Sequence, residues 1–171
     1  TCATCHDPHS LHSRKPENSD TNLCQTCHSG VTGYQEYKTV SMSKVDFDGD
    51  GAVESMYDEI EGVKAILHQA MSQYSAKIGD GTMFGFYGDA YPYSFIDTNK
   101  DGQITEDEAT FPNQYKLFTP RLLKAGYNYM FTVKDPGAYI HNGKYVLQLM
   151  FDSIEDLSAV SGVTTDGLTR P

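Results

Sequence analysis

The sequence has no tryptophan, no long apolar run, and only 13 lysines and arginines against 23 aspartates and glutamates. Each shortage excludes something. The cationic deficit leaves a formal net charge of −10 and no basic stripe, which argues against nucleic acid as a partner and for cations and basic proteins. A membrane-crossing helix needs roughly 18 or more apolar residues, and the longest candidate, Tyr145–Phe151, is short and interrupted. No signal peptide precedes Thr1 and a cysteine follows it at once, so the sequence reads as a processed or excised chain. Cysteine is scarce and confined: all four lie within the first 33 residues, alongside four of the six histidines.

What is present divides the 171 residues into zones. Residues 1–33 are too poor in aliphatics to fold by side-chain burial alone and need a staple. Residues 34–158 read as a helical body. In it, Met56, Ile60, Val63, Leu67, Ala70, Met71, Tyr74 and Ile78 recur at three- and four-residue steps, the stripe of one amphipathic helix. A second helix opens with Thr119 as cap and Pro120 at its first position, and stops before Asp135-Pro136-Gly137. A third runs from about His141 to Leu157, with Val146, Leu149, Met150, Ser153 and Leu157 on one face. Tyr34–Val45 and Met83–Phe86 are the only extended candidates, and residues 159–171 read as a flexible tail. The expected fold is therefore mainly α with extensive irregular loops and little sheet.

Cys2-Ala3-Thr4-Cys5-His6 and Cys24-Gln25-Thr26-Cys27-His28 are two copies of Cys-x-x-Cys-His. Two thiols at that spacing can add to the vinyl groups of a haem, and the adjacent histidine then sits under the iron as proximal ligand. A tethered haem also supplies the apolar core that residues 1–33 lack. Two other readings compete. The four cysteines also have the spacing of a four-cysteine zinc ribbon, or could form two disulfides. Neither calls for histidine in the next position, twice, in a chain with six histidines among 171 residues. Two covalently bound haem c groups are the expected cofactors.

Cys5-His6-Asp7-Pro8-His9, with the second motif a short spacer away, resembles the doubled module of multihaem c-type cytochromes. The resemblance implies that His9 is a distal iron ligand. His9 lies only three residues after His6, too short a reach to pass round the ring edge to the opposite face of the same haem. It should therefore serve the haem of Cys24, Cys27 and His28, which would bring the two haems close. The other haem then lacks a distal ligand, for which His12, His68, His141 or a methionine are candidates. His12 could instead serve a neighbouring chain's haem. His68 lies off the apolar stripe beside Lys64, Ser72 and Ser75 and reads as an exposed helix histidine. The stretch from Phe118 to Leu157 is similar to the C-terminal region of large periplasmic and outer-surface multihaem cytochromes, a resemblance that implies an iron-ligand role for His141.

Asp97, Asn99 and Asp101, then Gly102, Gln103, Thr105 and Glu108, follow the twelve-residue calcium loop: oxygens at positions one, three and five, a sharp turn at six, a carbonyl at seven, and a bidentate carboxylate at twelve. Asp46, Asp48 and Asp50 with Gly51 repeat the first half, but Tyr57 occupies the twelfth position, so that Asp58 or Glu59 would have to reach in, or Glu54 through water. Neither loop follows a convincing helix. Both read as structural calcium loops, one firm and one weaker.

Three function classes follow. Two haems with saturated irons would transfer electrons and bind no substrate. An open iron near Arg121 and Lys124 would make a haem enzyme reducing a small oxyanion. Surplus histidines crossing to neighbours would build a filament. Electron transfer is the reading the residues favour, with other redox proteins or further copies of the chain as partners. Covalent haem attachment and millimolar calcium both place it in the periplasm or at the cell surface of a prokaryote.

Overall fold

The computed structural model describes residues 27–31 and 34–171. In chain order these form α1 (Tyr34–Tyr37), α2 (Met56–Ile78), β1 (Met83–Phe86), β2 (Ser94–Asp97), a 3-10 turn (Phe111–Asn113), α3 (Pro120–Lys134), α4 (Ala138–His141) and α5 (Gly143–Ser161). The architecture is mainly α, with one two-stranded sheet and long loops, as the sequence leads one to expect.

The long helix α2 is the spine. Ser55 caps it, its hydroxyl accepting the Asp58 amide at 3.2 Å and donating to the Asp58 carboxylate at 2.7 Å. Its stripe residues Ile60, Val63, Leu67, Ala70, Met71 and Tyr74 are all buried, while Ile78 at the end is exposed. Helix α5 lies against it with Val146, Leu147, Met150, Ile154 and Leu157 buried. Of the residues expected on its face, Val146, Met150, Ser153 and Leu157 are buried. Leu149 is only half-buried, and Leu147 and Ile154 hold the centre in its place. Helix α3 covers both through Leu122 and Ala125; Thr119 caps it by accepting the Leu122 amide at 3.1 Å and meets the Tyr74 hydroxyl at 3.1 Å.

The hairpin β1–β2 pairs antiparallel with Phe84 opposite Ile96. It closes the remaining side of α2, where the Phe84 amide donates to the Ser75 hydroxyl at 2.7 Å and Phe84 packs edge-on to Tyr115. This covering explains why Ser72 and Ser75 are buried although they lie off the apolar stripe.

Three expectations change. Tyr34–Val45 is not extended: it opens with α1 and turns, and contributes only a single bridge from Met42 to Ser55. His141 does not start a helix. It ends the short α4, and a break at Asn142 precedes α5, which runs on to Ser161 before Gly162 terminates it in a left-handed conformation. The residues after Ser161 contact the body. The Thr169 amide donates to the Phe47 carbonyl at 3.2 Å, Leu168 packs against the core, and Arg170 pairs with Asp152.

Candidate metal and cofactor sites

The acidic loops are built by short-range hydrogen bonding that their own sequence dictates. In the second, Asp97 ends β2, and its carboxylate accepts the amides of Lys100 at 2.6 Å and Gly102 at 2.8 Å. Asn99 accepts from Asp101, and Asp101 accepts from Gln103, each at 2.9 Å. The first loop repeats this bond for bond. Asp46 accepts the amides of Gly49 and Gly51, Asp48 that of Asp50, and Asp50 that of Ala52. Both sixth positions need a positive φ, which glycine supplies without strain: 95° at Gly51 and 87° at Gly102.

The closing residue is where the loops differ. Glu108 is buried and its carboxylate accepts the amides of Thr98, Asn99 and Thr105, with the hydroxyls of Thr98 and Thr105. In the first loop the same three places, second, third and ninth, are occupied by Phe47, Asp48 and Glu54. Their amides donate to Glu59, at 2.7, 3.3 and 3.1 Å. Glu59 therefore stands where Glu108 stands, two residues later in sequence. Tyr57, at the twelfth position, is turned to other partners: it accepts from Lys38 at 3.1 Å and packs edge-on to Tyr139.

Electrostatics separate the two loops. Carboxylate oxygens of Asp46, Asp48 and Asp50 lie within 4.8 Å of one another. Burial, and then the neighbouring charges of Asp50, Glu59 and Asp46, push the Asp48 carboxyl above its usual range, against the opposing effect of its bond from Asp50. In the second loop the hydroxyl of Thr98, followed by the backbone amide of Thr105, pulls Glu108 down to about 2. Asp48 also sits hard against α2 at Gly62, where any side chain would collide with its carboxylate. Crowded carboxylates with a further buried glutamate behind them form the donor set of a hard divalent cation, and both loops fit calcium.

Of the haem-motif residues, Cys27 and His28 are described, and both are exposed. The Val31 amide donates back to the His28 carbonyl at 3.0 Å, and Val31 is buried. Cys2, Cys5, His6, His9, His12 and Cys24 lie outside the described residues. His141 lies in the reversal between α3 and α5. Its side chain is half exposed, Nδ1 stands 3.7 Å from Asp135, and its ring lies so close over Gly137 that a side chain added there would displace it.

His68 is not the exposed helix histidine its sequence neighbours suggest. Its ring lies against Tyr129 at 5.6 Å and Phe84 at 6.3 Å, and burial lowers its pKa below 6.5 despite the opposing charge of Asp97. The hairpin, which brings Phe84 onto α2, creates this environment. Nothing in the helix periodicity around His68 signals it.

With the sites described, comparison with known proteins adds the decisive observation. The chain is 28% identical over 174 aligned residues to the C-type polyheme cytochrome OmcB of Geobacter sulfurreducens, covering 90% of this chain and 20% of that protein. It is 28% identical over 141 residues to the C-type polyheme cytochrome OmcC of the same species, covering 77% of this chain and 15% of that one. The chain is related to multihaem c-type cytochromes over nearly its whole length. It spans about a fifth of the length of the OmcB relatives. No protein-family model matches the chain, and no solved structure does. At 90% of the chain, the likeness extends well beyond the Cys-x-x-Cys-His segment.

Proposed function

We propose that the chain is an electron-transfer module carrying two covalently bound haem c groups, one held by Cys2, Cys5 and His6 and the other by Cys24, Cys27 and His28. The observation that carries this reading is the likeness to polyhaem cytochromes across 90% of the chain, in a sequence that itself holds two complete haem-attachment motifs. Each haem supplies a one-electron couple whose potential is set by its axial ligands and surroundings. The chain's own contribution is to hold the irons at fixed separation on a rigid helical body and to saturate them with histidine. His9 serves the second haem. His141, half exposed and oriented by Asp135, is poised to meet an iron at the surface.

The two acidic loops bind calcium, through Asp46, Asp48, Asp50 and Glu59 in one, and through Asp97, Asn99, Asp101, the Gln103 carbonyl and Glu108 in the other. Their part is structural. The first ties the N-terminus of α2 to the end of the chain, and the second ties β2 to the loop before α3. The site of action is the periplasm or the cell surface, where haem is attached covalently and calcium is abundant. No helix among the described residues is long and apolar enough to cross a membrane. Redox proteins with basic docking faces, or further copies of this chain, would be the partners, and salt should weaken their encounter.

A visible spectrum of the haem-loaded chain tests the function. An electron carrier gives low-spin bands in both redox states, indifferent to cyanide and carbon monoxide. A high-spin band that shifts on adding either would establish an open iron, and with it a haem enzyme instead.

A further inference from the structure

A groove of about 670 Å³ opens beside α2, walled by that helix, the hairpin, the second acidic loop and Tyr129 of α3. Its volume falls within the roughly 300–1,000 Å³ of pockets that take cofactors. It combines three features that solvent alone does not call for. The first is His68, half-buried between Tyr129 and Phe84, neither ring nitrogen of which is hydrogen-bonded among the described residues. The second is Ser72, one helical turn on. Its side chain is only 3% exposed, and its hydroxyl is the one buried side-chain polar atom with no partner among the described residues. A hydroxyl so placed costs stability unless a ligand or water satisfies it. The third is the wall itself: Phe86 and Tyr129 meet edge to face at 5.3 Å, with Lys100 and Asp101 beside them and Lys64 paired with Glu61 at 2.5 Å.

An aromatic wall, an available imidazole and an unsatisfied buried hydroxyl suit a flat, iron-bearing ligand. We infer that the groove seats one of the chain's haems and that His68 is its distal axial ligand. The inference rests on the proposed haem loading and goes beyond it by naming the ligand. The imidazole would coordinate iron through one ring nitrogen and leave the other to water in the open groove, and Lys100 is the lining cation that would answer a propionate. His141, half exposed beside Asp135, is left for contact between proteins.

The test compares haem-loaded wild-type chain with His68→Ala and His68→Met, by electron paramagnetic resonance and by carbon monoxide binding to the reduced form. In wild type both haems should be low-spin and inert to carbon monoxide. His68→Ala should turn one of the two high-spin, bind one carbon monoxide per chain, and return to low-spin when imidazole is added. His68→Met should stay low-spin, gain a far-red thioether-to-iron band and show a raised midpoint potential for one haem, since methionine ligation favours the reduced state. His68→Ala spectra identical to wild type would overturn the inference. So would a high-spin haem already present in wild type, or a His68→Met variant with no thioether band and no change in potential. If His68→Ala fails to fold, the methionine variant decides alone. A purified chain without covalent haem would remove the proposed function and this inference together, whereas a loaded chain indifferent to His68 removes only the inference.

Discussion

The two acidic loops share one hydrogen-bonded frame and reach it by different sequences. From the first position to the seventh they match bond for bond, down to the positive φ at the fourth and sixth places: 77° and 95° at Gly49 and Gly51, 60° and 87° at Lys100 and Gly102. They part at the closing carboxylate. The second loop uses its twelfth residue, Glu108; the first uses Glu59, its fourteenth, because α2 starts at Met56 and brings Glu59 round its first turn to the loop backbone. A count of ligand spacing therefore finds the second loop and misjudges the first. The frame is specified by which amides need an acceptor, and a carboxylate from the next turn satisfies that need as well as one at the expected place.

The largest effect that would sharpen this comparison is expected from Glu59→Gln. Glu59 is 1% exposed and accepts three backbone amides. Hydrogen bonds to a charged group are worth about 1.5–3 kcal/mol each, so the substitution should lower stability by roughly 3 kcal/mol and abolish one calcium site while leaving the other. Calorimetric titration with calcium checks this, with Glu108→Gln as the mirror case. If Tyr57→Glu tightened calcium binding, the twelfth position would be the operative one and the equivalence of Glu59 with Glu108 would be broken.

Calcium removal comes next. A site saturated at a hundredfold excess over Kd stabilises by about 2.7 kcal/mol, which in a domain of this size is a Tm shift of roughly 5–10 °C. Excess EGTA should lower the melting temperature by that much for each occupied loop, and an unchanged melt would remove the structural role. Gly62→Ala should act on the first loop alone. Its methyl group would displace the Asp48 carboxylate, at a cost of about 1–3 kcal/mol typical of overpacking. Calcium affinity should be lost in the first loop and kept in the second.

The smallest effect is the most discriminating, because the loops should answer pH with opposite sign. Glu108 in the folded chain titrates at about 2, below its ordinary 4.5. Its stabilising contribution is complete above about pH 4.5 and is lost as pH falls toward 2. Asp48 is raised above its ordinary 3.8 by burial and crowding. Its charge disfavours the folded state above that raised value, and the penalty fades as pH falls through it to below 3.8. In calcium-free chain at pH 7, Asp48→Asn should therefore stabilise and Glu108→Gln destabilise. The first difference should vanish near pH 3 in melts followed by circular dichroism, while the second persists lower.

Much of the fold was legible where a single physical rule governs a segment. The three- and four-residue recurrence from Met56 to Tyr74 marks α2, Thr119-Pro120 marks the start of α3, and the extended candidate Met83–Phe86 is β1. Features that depend on distant partners were not legible. Ser72, Ser75 and His68 look like a solvent-facing side of α2 until the hairpin covers it. The face of α5 is chosen by what α2 and α3 present, which is why Ile154 is buried and Leu149 is not. The Lys134–Asn142 run carries turn residues that indicate a break, but the choice between one helix and two depends on the Asp135 and Gly137 contacts that fold the reversal.

Whether iron porphyrin is fixed to the two cysteine pairs is settled most directly by intact mass spectrometry of the chain produced by cells that attach haem. Two thioether-linked haems should add roughly 1.2 kDa to the polypeptide, and changing Cys2 and Cys5, or Cys24 and Cys27, to serine should remove half of that increment each time. A colourless chain at the bare polypeptide mass, or one holding zinc at those sulfurs, would contradict the account.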